Sequence, residues 1–312
     1  MGQWVPPVID IEPLGADVSN SGADAVIRAI DAACTSTGFF VAVGHGIDAE
    51  LSAALDGGRR FFGQPQSAKE ATPRHERYGY VPHRSSALDP DRASDLTEYI
   101  DLGLGDEVAM PALEGFEQTT RGYQQSALDV AHRLMAAIAV ALGSPPTFFA
   151  ERMGSPQCRL RFLHYPPTPR DADGALPVLS STHTDYGGIT LLATDGVPGL
   201  EVLPIGGEWT PVVAPEGALI VNLGDMLARW TNDFYASTPH RVLGAPDRDR
   251  YSMPFFVNPD PSTVVEVMPS CATAERAARY APVTAGEFLA MRIDSSAEPY
   301  VDPLDGPRRY EP

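Results

Sequence analysis

The apolar positions along the chain alternate between helical and strand periods. Between residues 22 and 36, Ala25, Ile27, Ile30 and Ala33 recur at helical spacing, which predicts a helix that ends at Gly38. Phe39-Phe40-Val41-Ala42-Val43 follows, a continuous apolar run stopped by Gly44-His45-Gly46, and it predicts a short buried strand. Residues 48–63 predict a second helix, closed by Gly63 and Pro65. Residues 71–116 are polar and irregular, with Pro73, Pro82, Pro90 and Pro111, as in a long functional loop. Helical period returns over 117–142, where Leu128, His132, Met135, Ile138 and Leu142 lie near one face, and a short helix is expected from Phe148 to Arg152.

From about residue 158 the period becomes that of strands. Segments 158–164, 188–194, 199–203, 210–213, 218–223, 239–244 and 250–257 are short, apolar or alternating, and bounded by Gly or Pro. Short strands at this spacing predict a mainly β fold with flanking helices, its core a double-sheet jelly roll or barrel. Residues 284–293 predict a closing helix. The expected organisation is one unit over 1–312: a helical and loop region 1–157 packed on a jelly-roll core 158–297, then a C-terminal arm 298–312.

Composition narrows the partners. Hydrophobic residues make up 43% of the chain, enough to build a core and too many for a disordered segment. A net charge of −18 repels phosphate backbones and anionic lipid, so neither nucleic acid nor a membrane surface is expected as a partner. No apolar stretch reaches membrane-spanning length, and Met-Gly-Gln-Trp-Val-Pro-Pro shows no signal-peptide pattern. Three widely spaced cysteines, Cys34, Cys158 and Cys271, fit reduced thiols and a cytoplasmic location. Lys69 is the sole lysine among 23 basic residues, which suits a GC-rich bacterial coding sequence. Oligomeric state is not legible.

The candidate chemistry begins at Ser181-Thr182-His183-Thr184-Asp185. At a strand end, residues two apart point to the same side, so His183 and Asp185 can reach one metal together. His240 follows in Ser237-Thr238-Pro239-His240, at the start of another predicted strand. Two imidazoles and one carboxylate leave open positions, as in non-haem Fe(II) oxygenases. Arg250-Tyr251-Ser252 then places a guanidinium and a hydroxyl on one face of the next strand, a donor set suited to a carboxylate. A hydrolytic Zn2+ could use the same three metal donors; that reading leaves Arg250 and Ser252 without a role and supplies no adjacent general-base Glu.

These segments resemble the isopenicillin N synthase-like family of Fe(II)/2-oxoglutarate-dependent oxygenases. The resemblance spans nearly the whole chain. It is carried by Pro7-Val8-Ile9-Asp10, 37–47, Arg77-Tyr78-Gly79-Tyr80-Val81-Pro82, 95–101, His183-Thr184-Asp185, Val221-Asn222-Leu223-Gly224-Asp225, Trp230-Thr231-Asn232, Ser237–Val242 and Arg250-Tyr251-Ser252. It implies a double-stranded β-helix core, Fe(II) held by His183, Asp185 and His240, and 2-oxoglutarate and O2 as cosubstrates. It also implies that Arg250, Ser252 and Tyr165 bind the far carboxylate of 2-oxoglutarate. His164-Tyr165-Pro166 departs from the Asn-Tyr-Tyr-Pro of plant members, with Leu163 in the Asn position. A carboxylate at 185, where halogenases of this chemistry have a small residue, implies hydroxylation, desaturation or cyclisation of a small organic substrate, as in bacterial natural-product or amino-acid metabolism.

Tyr78, Tyr80, Tyr99, Trp230 and Phe256 are the candidate substrate contacts, as aromatic groups near the predicted site. His45 is expected to cap the Gly-His-Gly turn, and Asn222 and Asp225 to fix the turn after a strand. Two alternatives stand beside the main reading. One is an isopenicillin N synthase-like oxidase that needs no 2-oxoglutarate; the other is a non-catalytic jelly-roll module that binds a ligand.

Overall fold

The computed structural model describes residues 4–15, 18, 22–75, 78–83, 97–105, 110–245, 247–274 and 276–294. Arg77, the Asp95-Leu96 pair and the expected arm 298–312 lie outside the described residues. In chain order the strands of the two main sheets are β1 (Val8–Asp10), β2 (Phe39–Val43), β3 (Gly79–Val81), β4 (Glu98–Gly103), β5 (Arg159–Tyr165), β6 (Val178–His183), β7 (Ile189–Thr194), β8 (Leu200–Val202), β9 (Thr210–Pro211), β10 (Leu219–Leu223), β11 (His240–Leu243) and β12 (Arg250–Val257), and a separate two-stranded ribbon pairs Val264–Val265 with Val283–Thr284. The helices are α1 (Ala23–Ser36), α2 (Asp48–Phe62), α3 (Gln66–Glu70), α4 (Phe116–Ala141), α5 (Asp225–Trp230) and α6 (Ala285–Asp294).

Two sheets form the jelly roll. The large one runs β1-β2-β10-β7-β12-β5-β4-β3, and the small one β6-β11-β8-β9. Side-chain alternation assigns the two faces of the large sheet. Phe40, Ala42, Ile100, Leu160, Phe162, Leu191, Val221, Met253 and Phe255 pack into the main core with residues of α1, α2 and α4. Their alternates Phe39, Val41, Leu163, Tyr165, Leu192 and Ile220 turn the other way, towards Leu179, Leu200, Val202 and Val242 of the small sheet. Covering on both faces explains why β2 reads as an unbroken apolar run.

Gly57-Gly58 sits inside α2, where each glycine costs about 1 kcal/mol relative to Ala. The packing explains it: a Cβ on Gly58 would lie 2.7 Å from Phe162 of β5. Gly58 lets the helix axis approach the sheet over the buried Phe162, whereas a Cβ on Gly57 would only touch Phe116 and Thr119 of α4 at 3.4 Å.

Several expected elements differ. The segment 71–116 is not wholly irregular: β3 and β4 extend the large sheet, with Tyr80 opposite Ile100 and Tyr99 opposite Leu163. β6, which ends at His183, has too mixed a pattern to stand out, since it is an edge strand of the small sheet with uneven exposure along its length. The 148–152 segment forms only a short 3-10 turn, Ala150–Arg152. His45 caps its turn: Nε2 donates to the Gly217 carbonyl at 2.8 Å, and Nδ1 accepts from the Ile47 amide at 3.2 Å. Cys34, Cys158 and Cys271 are buried and unpaired. Among the described residues no helix is long and apolar enough to cross a membrane.

Candidate active site

His183 ends β6 and His240 begins β11, and the two face each other as ladder partners. Their rings lie 4.3 Å apart between centroids. Asp185 follows β6, with Oδ1 at 4.0 Å from His183 Nε2 and 3.8 Å from His240 Nε2. One donor atom from each residue falls within 4.8 Å of the others, close enough for one ion.

Hydrogen bonds fix which atoms are available. His183 Nδ1 donates to the Ser181 carbonyl at 2.7 Å, and His240 Nδ1 donates to the Thr238 carbonyl at 3.2 Å. A carbonyl only accepts, so each Nδ1 carries the proton and each Nε2 keeps a lone pair for a metal. Oδ2 of Asp185 accepts from Thr190 Oγ1 and Asn222 Nδ2, both at 2.6 Å, which leaves Oδ1 for the ion. Burial alone would raise the Asp185 carboxyl pKa. The adjacent His240 and His183 and the bonds from Thr190 and Asn222 outweigh it, so the group is held below the ordinary carboxylate range.

This corrects the turn-fixing expectation for Asn222, which orients the acidic donor. Asp225 does tie the turn: its amide donates to the Asp185 carbonyl at 2.7 Å, and its carboxylate pairs with Arg292 of α6 at 2.6 Å. The chain turns so tightly here that a Cβ on Gly224 would sit 2.4 Å from the Gly187 carbonyl oxygen.

A cavity of about 400 Å³ opens beside these donors. One end is built by Arg250, Ser252 and Tyr165. Arg250 is 2% exposed, its guanidinium lies 4.8 Å from the Tyr165 ring centroid, and Nε donates to the Val197 carbonyl at 3.2 Å. Its Nη1 is buried without a hydrogen-bond partner among the described residues. An orphaned guanidinium donor lining the same cavity as two imidazoles and a carboxylate fits an anionic ligand beside a metal ion.

Of the aromatic candidates, Tyr78, Tyr99 and Phe256 line the cavity. Tyr80 and Trp230 do not, and both expectations are corrected. Tyr80 lies opposite Ile100 and therefore shares its helix-side face, with its ring on Phe61 and its hydroxyl on Glu98 and Gln66. Trp230 ends α5 and packs on Phe148 and Phe149 in the main core. Sequence reading missed Thr190, Arg159 and Arg161, which also line the cavity. The signal for the arginines was present as alternation: Arg159, Arg161, Leu163 and Tyr165 occupy every second position of β5.

Residues 155–259 match the 2OG-Fe(II) oxygenase superfamily, and residues 6–125 match the family described as non-haem dioxygenase in morphine synthesis N-terminal. The chain is 32% identical to the 2-oxoglutarate-Fe(II) type oxidoreductase hxnY of Emericella nidulans, over 93% of this chain and 89% of that protein. The chain belongs to the Fe(II)- and 2-oxoglutarate-dependent oxygenases. It is 36% identical to the 2-oxoglutarate-dependent dioxygenase citB of Monascus ruber, over 80% of this chain and 83% of the relative. A full-length Neurospora crassa protein, solved in complex with alpha-KG and thymine, superposes with a TM-score of 0.84 at 28% identity, covering 93% of this chain and 97% of that one. JOX2 in complex with 2OG, Fe and JA superposes with a TM-score of 0.81 at 28% identity, covering 94% and 86%.

This oxygenase is therefore a 2-oxoglutarate-dependent dioxygenase, with Fe(II) as cofactor and 2-oxoglutarate and O2 as cosubstrates. The family sets aside both the oxidase that needs no 2-oxoglutarate and the non-catalytic module.

Proposed function

We propose that His183, Asp185 and His240 hold the iron, that Arg250, Ser252 and Tyr165 receive the far carboxylate of 2-oxoglutarate, and that the enzyme oxidises a C–H bond of a small organic substrate. The observation that carries the reading is the buried Nη1 of Arg250, a donor without a partner among the described residues, in the cavity that His183, Asp185 and His240 share. Iron and 2-oxoglutarate, when bound, supply the oxidising power, with O2 consumed and 2-oxoglutarate decarboxylated to succinate.

The chain's own residues do the rest. The Ser181 and Thr238 carbonyls hold both imidazoles in the tautomer that presents Nε2. Thr190 and Asn222 hold Asp185 ionised and turned. Arg250 offers a planar fork, and the Ser252 hydroxyl an extra donor, on one face of β12. Phe39, edge-on to His240 at 5.5 Å, helps to exclude water from that imidazole. A cavity of about 400 Å³ suits a small organic molecule, in keeping with the thymine bound in the Neurospora crassa complex. Hydroxylation, desaturation and cyclisation all lie within this chemistry, and natural-product or amino-acid metabolism is the proposed setting.

Calorimetric titration of the Mn(II)-loaded protein with 2-oxoglutarate tests the assignment. Wild type is expected to bind, and Arg250→Ala to bind at least about ten-fold more weakly, the loss expected for a charge-assisted hydrogen bond. Equal affinity in the two proteins overturns it.

A further inference from the structure

The cavity has a second cationic end. Arg159 lies six residues from Tyr165 on the same face of β5, roughly 20 Å along the strand at about 3.3 Å per residue. Its level in the sheet is the level of the metal donors. Thr190 of β7 pairs with Phe256 of β12, and Phe256 pairs with Arg159. Thr190 is the residue that bonds Asp185. Two inter-strand spacings of about 4.8 Å therefore separate the Arg159 backbone from that of Thr190, within the span of a small molecule.

The two arginines of β5 differ in how they are satisfied. Arg161 gives Nε and Nη2 to the two oxygens of Asp101, both at 2.7 Å, and lies 3.9 Å from the Tyr99 ring centroid. That is a closed bidentate pair. Arg159 approaches the same carboxylate only at 3.7 Å, beyond hydrogen-bond reach, and its Nε is buried with no partner among the described residues. Its guanidinium lies 4.9 Å from the Phe256 ring centroid. The Arg159 side chain is 32% exposed, and its partial burial lowers the pKa below the ordinary arginine value even though the Asp101 carboxylate opposes the effect. One carboxylate faces two guanidinium groups, and Asp185 is the only acid among the described residues that line the cavity. With Asp185 committed to iron and Arg250 to 2-oxoglutarate, one positive charge is left over at the Arg159 end.

We infer that Arg159 anchors a carboxylate on the primary substrate, so that the substrates are small monocarboxylic acids whose apolar part lies near Phe256 and Tyr99. The inference rests on the cofactor assignment above, which leaves Arg250 occupied. It makes Arg159 a specificity-determining residue: the acid group is held at the sheet level of the iron, at the opposite end of β5 from 2-oxoglutarate.

The test uses matched acids and amides: benzoate and benzamide, phenylacetate and phenylacetamide, hexanoate and hexanamide, cinnamate and cinnamamide. Each is titrated calorimetrically into the protein loaded with Mn(II) and 2-oxoglutarate. In wild type at least one acid is expected to bind about ten-fold or more tightly than its amide, as a bond between charged groups requires. In Arg159→Gln the preference is expected to fall within about two-fold, and Arg159→Lys to retain part of it, while 2-oxoglutarate binding in both variants stays at the wild-type level and shows that they are folded. The inference is overturned if no acid binds, if acids and amides bind wild type alike, or if the preference survives Arg159→Gln. Failure of wild type to bind 2-oxoglutarate overturns the cofactor assignment, and the inference with it.

Discussion

Asn222 donates its side-chain amide to Oδ2 of Asp185 at 2.6 Å, from strand β10 of the large sheet, whereas both imidazoles stand on strands of the small sheet. The proposed metal donors thus depend on the two sheets being held in register. Thr190 of β7 donates to the same oxygen. Asn222→Ala frees the carboxylate to rotate, and metal affinity is expected to fall about 10–100-fold, as for other partners of metal ligands. Anaerobic titration with Co(II) measures this, and unchanged affinity contradicts it.

Gly199 is set by the Arg250 end of the cavity, the proposed 2-oxoglutarate end. A Cβ there would lie 2.7 Å from the Leu243 carbonyl oxygen and 3.3 Å from Arg250 Nε. Gly199→Ala is expected to cost about 1–3 kcal/mol of stability, the usual range for overpacking, and to weaken 2-oxoglutarate binding by displacing the guanidinium. Thermal melting and the Mn(II) titration read the two effects; a variant with both at wild-type values argues against this placement of Arg250.

A charged cluster backs the start of β12. Lys69 pairs with Glu98 at 2.6 Å, His164 bonds Glu98 and Asp249 at 2.7 Å each, and His164 stacks on Tyr251 at 4.8 Å. Burial would raise the Glu98 pKa, but hydrogen bonds from His164, Lys69 and Tyr80 bring it down to about 2. Burial likewise works against the His164 cation, and the two carboxylates outweigh it, so its pKa is raised. The sign follows: the His164 contribution is complete below its unfolded pKa of about 6.5 and is lost as pH rises through the folded value. The Glu98 contribution is present above about 4.3 and is lost only as pH falls towards 2. The melting-temperature gap between wild type and His164→Gln is therefore expected to be widest between about pH 5 and 6.5 and to narrow at higher pH. A gap that is flat or widens with rising pH rules out a charged His164 in this cluster.

Much of the site was legible in the residue order, for a local reason. His183 and Asp185 are two residues apart, as are Arg250 and Ser252, and strand parity alone puts each pair on one face. What needed the structure was register between strands. Tyr80 and Tyr99 both read as loop aromatics near the site, yet one lies opposite Ile100 and the other opposite Leu163, on opposite faces of the sheet. Trp230 is close in sequence to the site strands, but α5 carries it into the main core. Asn222 looked like a turn residue because its partner lies 37 positions away. Arg159 stands out only once its neighbour Arg161 is seen to have taken the shared carboxylate.

The most direct measurement is anaerobic addition of Fe(II) and then 2-oxoglutarate to wild type and to His183→Ala, Asp185→Ala and His240→Ala, followed by visible absorption. A weak charge-transfer band reports 2-oxoglutarate chelated to protein-bound iron. The band is predicted at one iron per chain in wild type and is expected to be lost in all three variants, with their folds intact by circular dichroism. A wild-type protein that binds no iron, or a band that persists in the variants, would contradict the assignment of these three residues as the iron ligands.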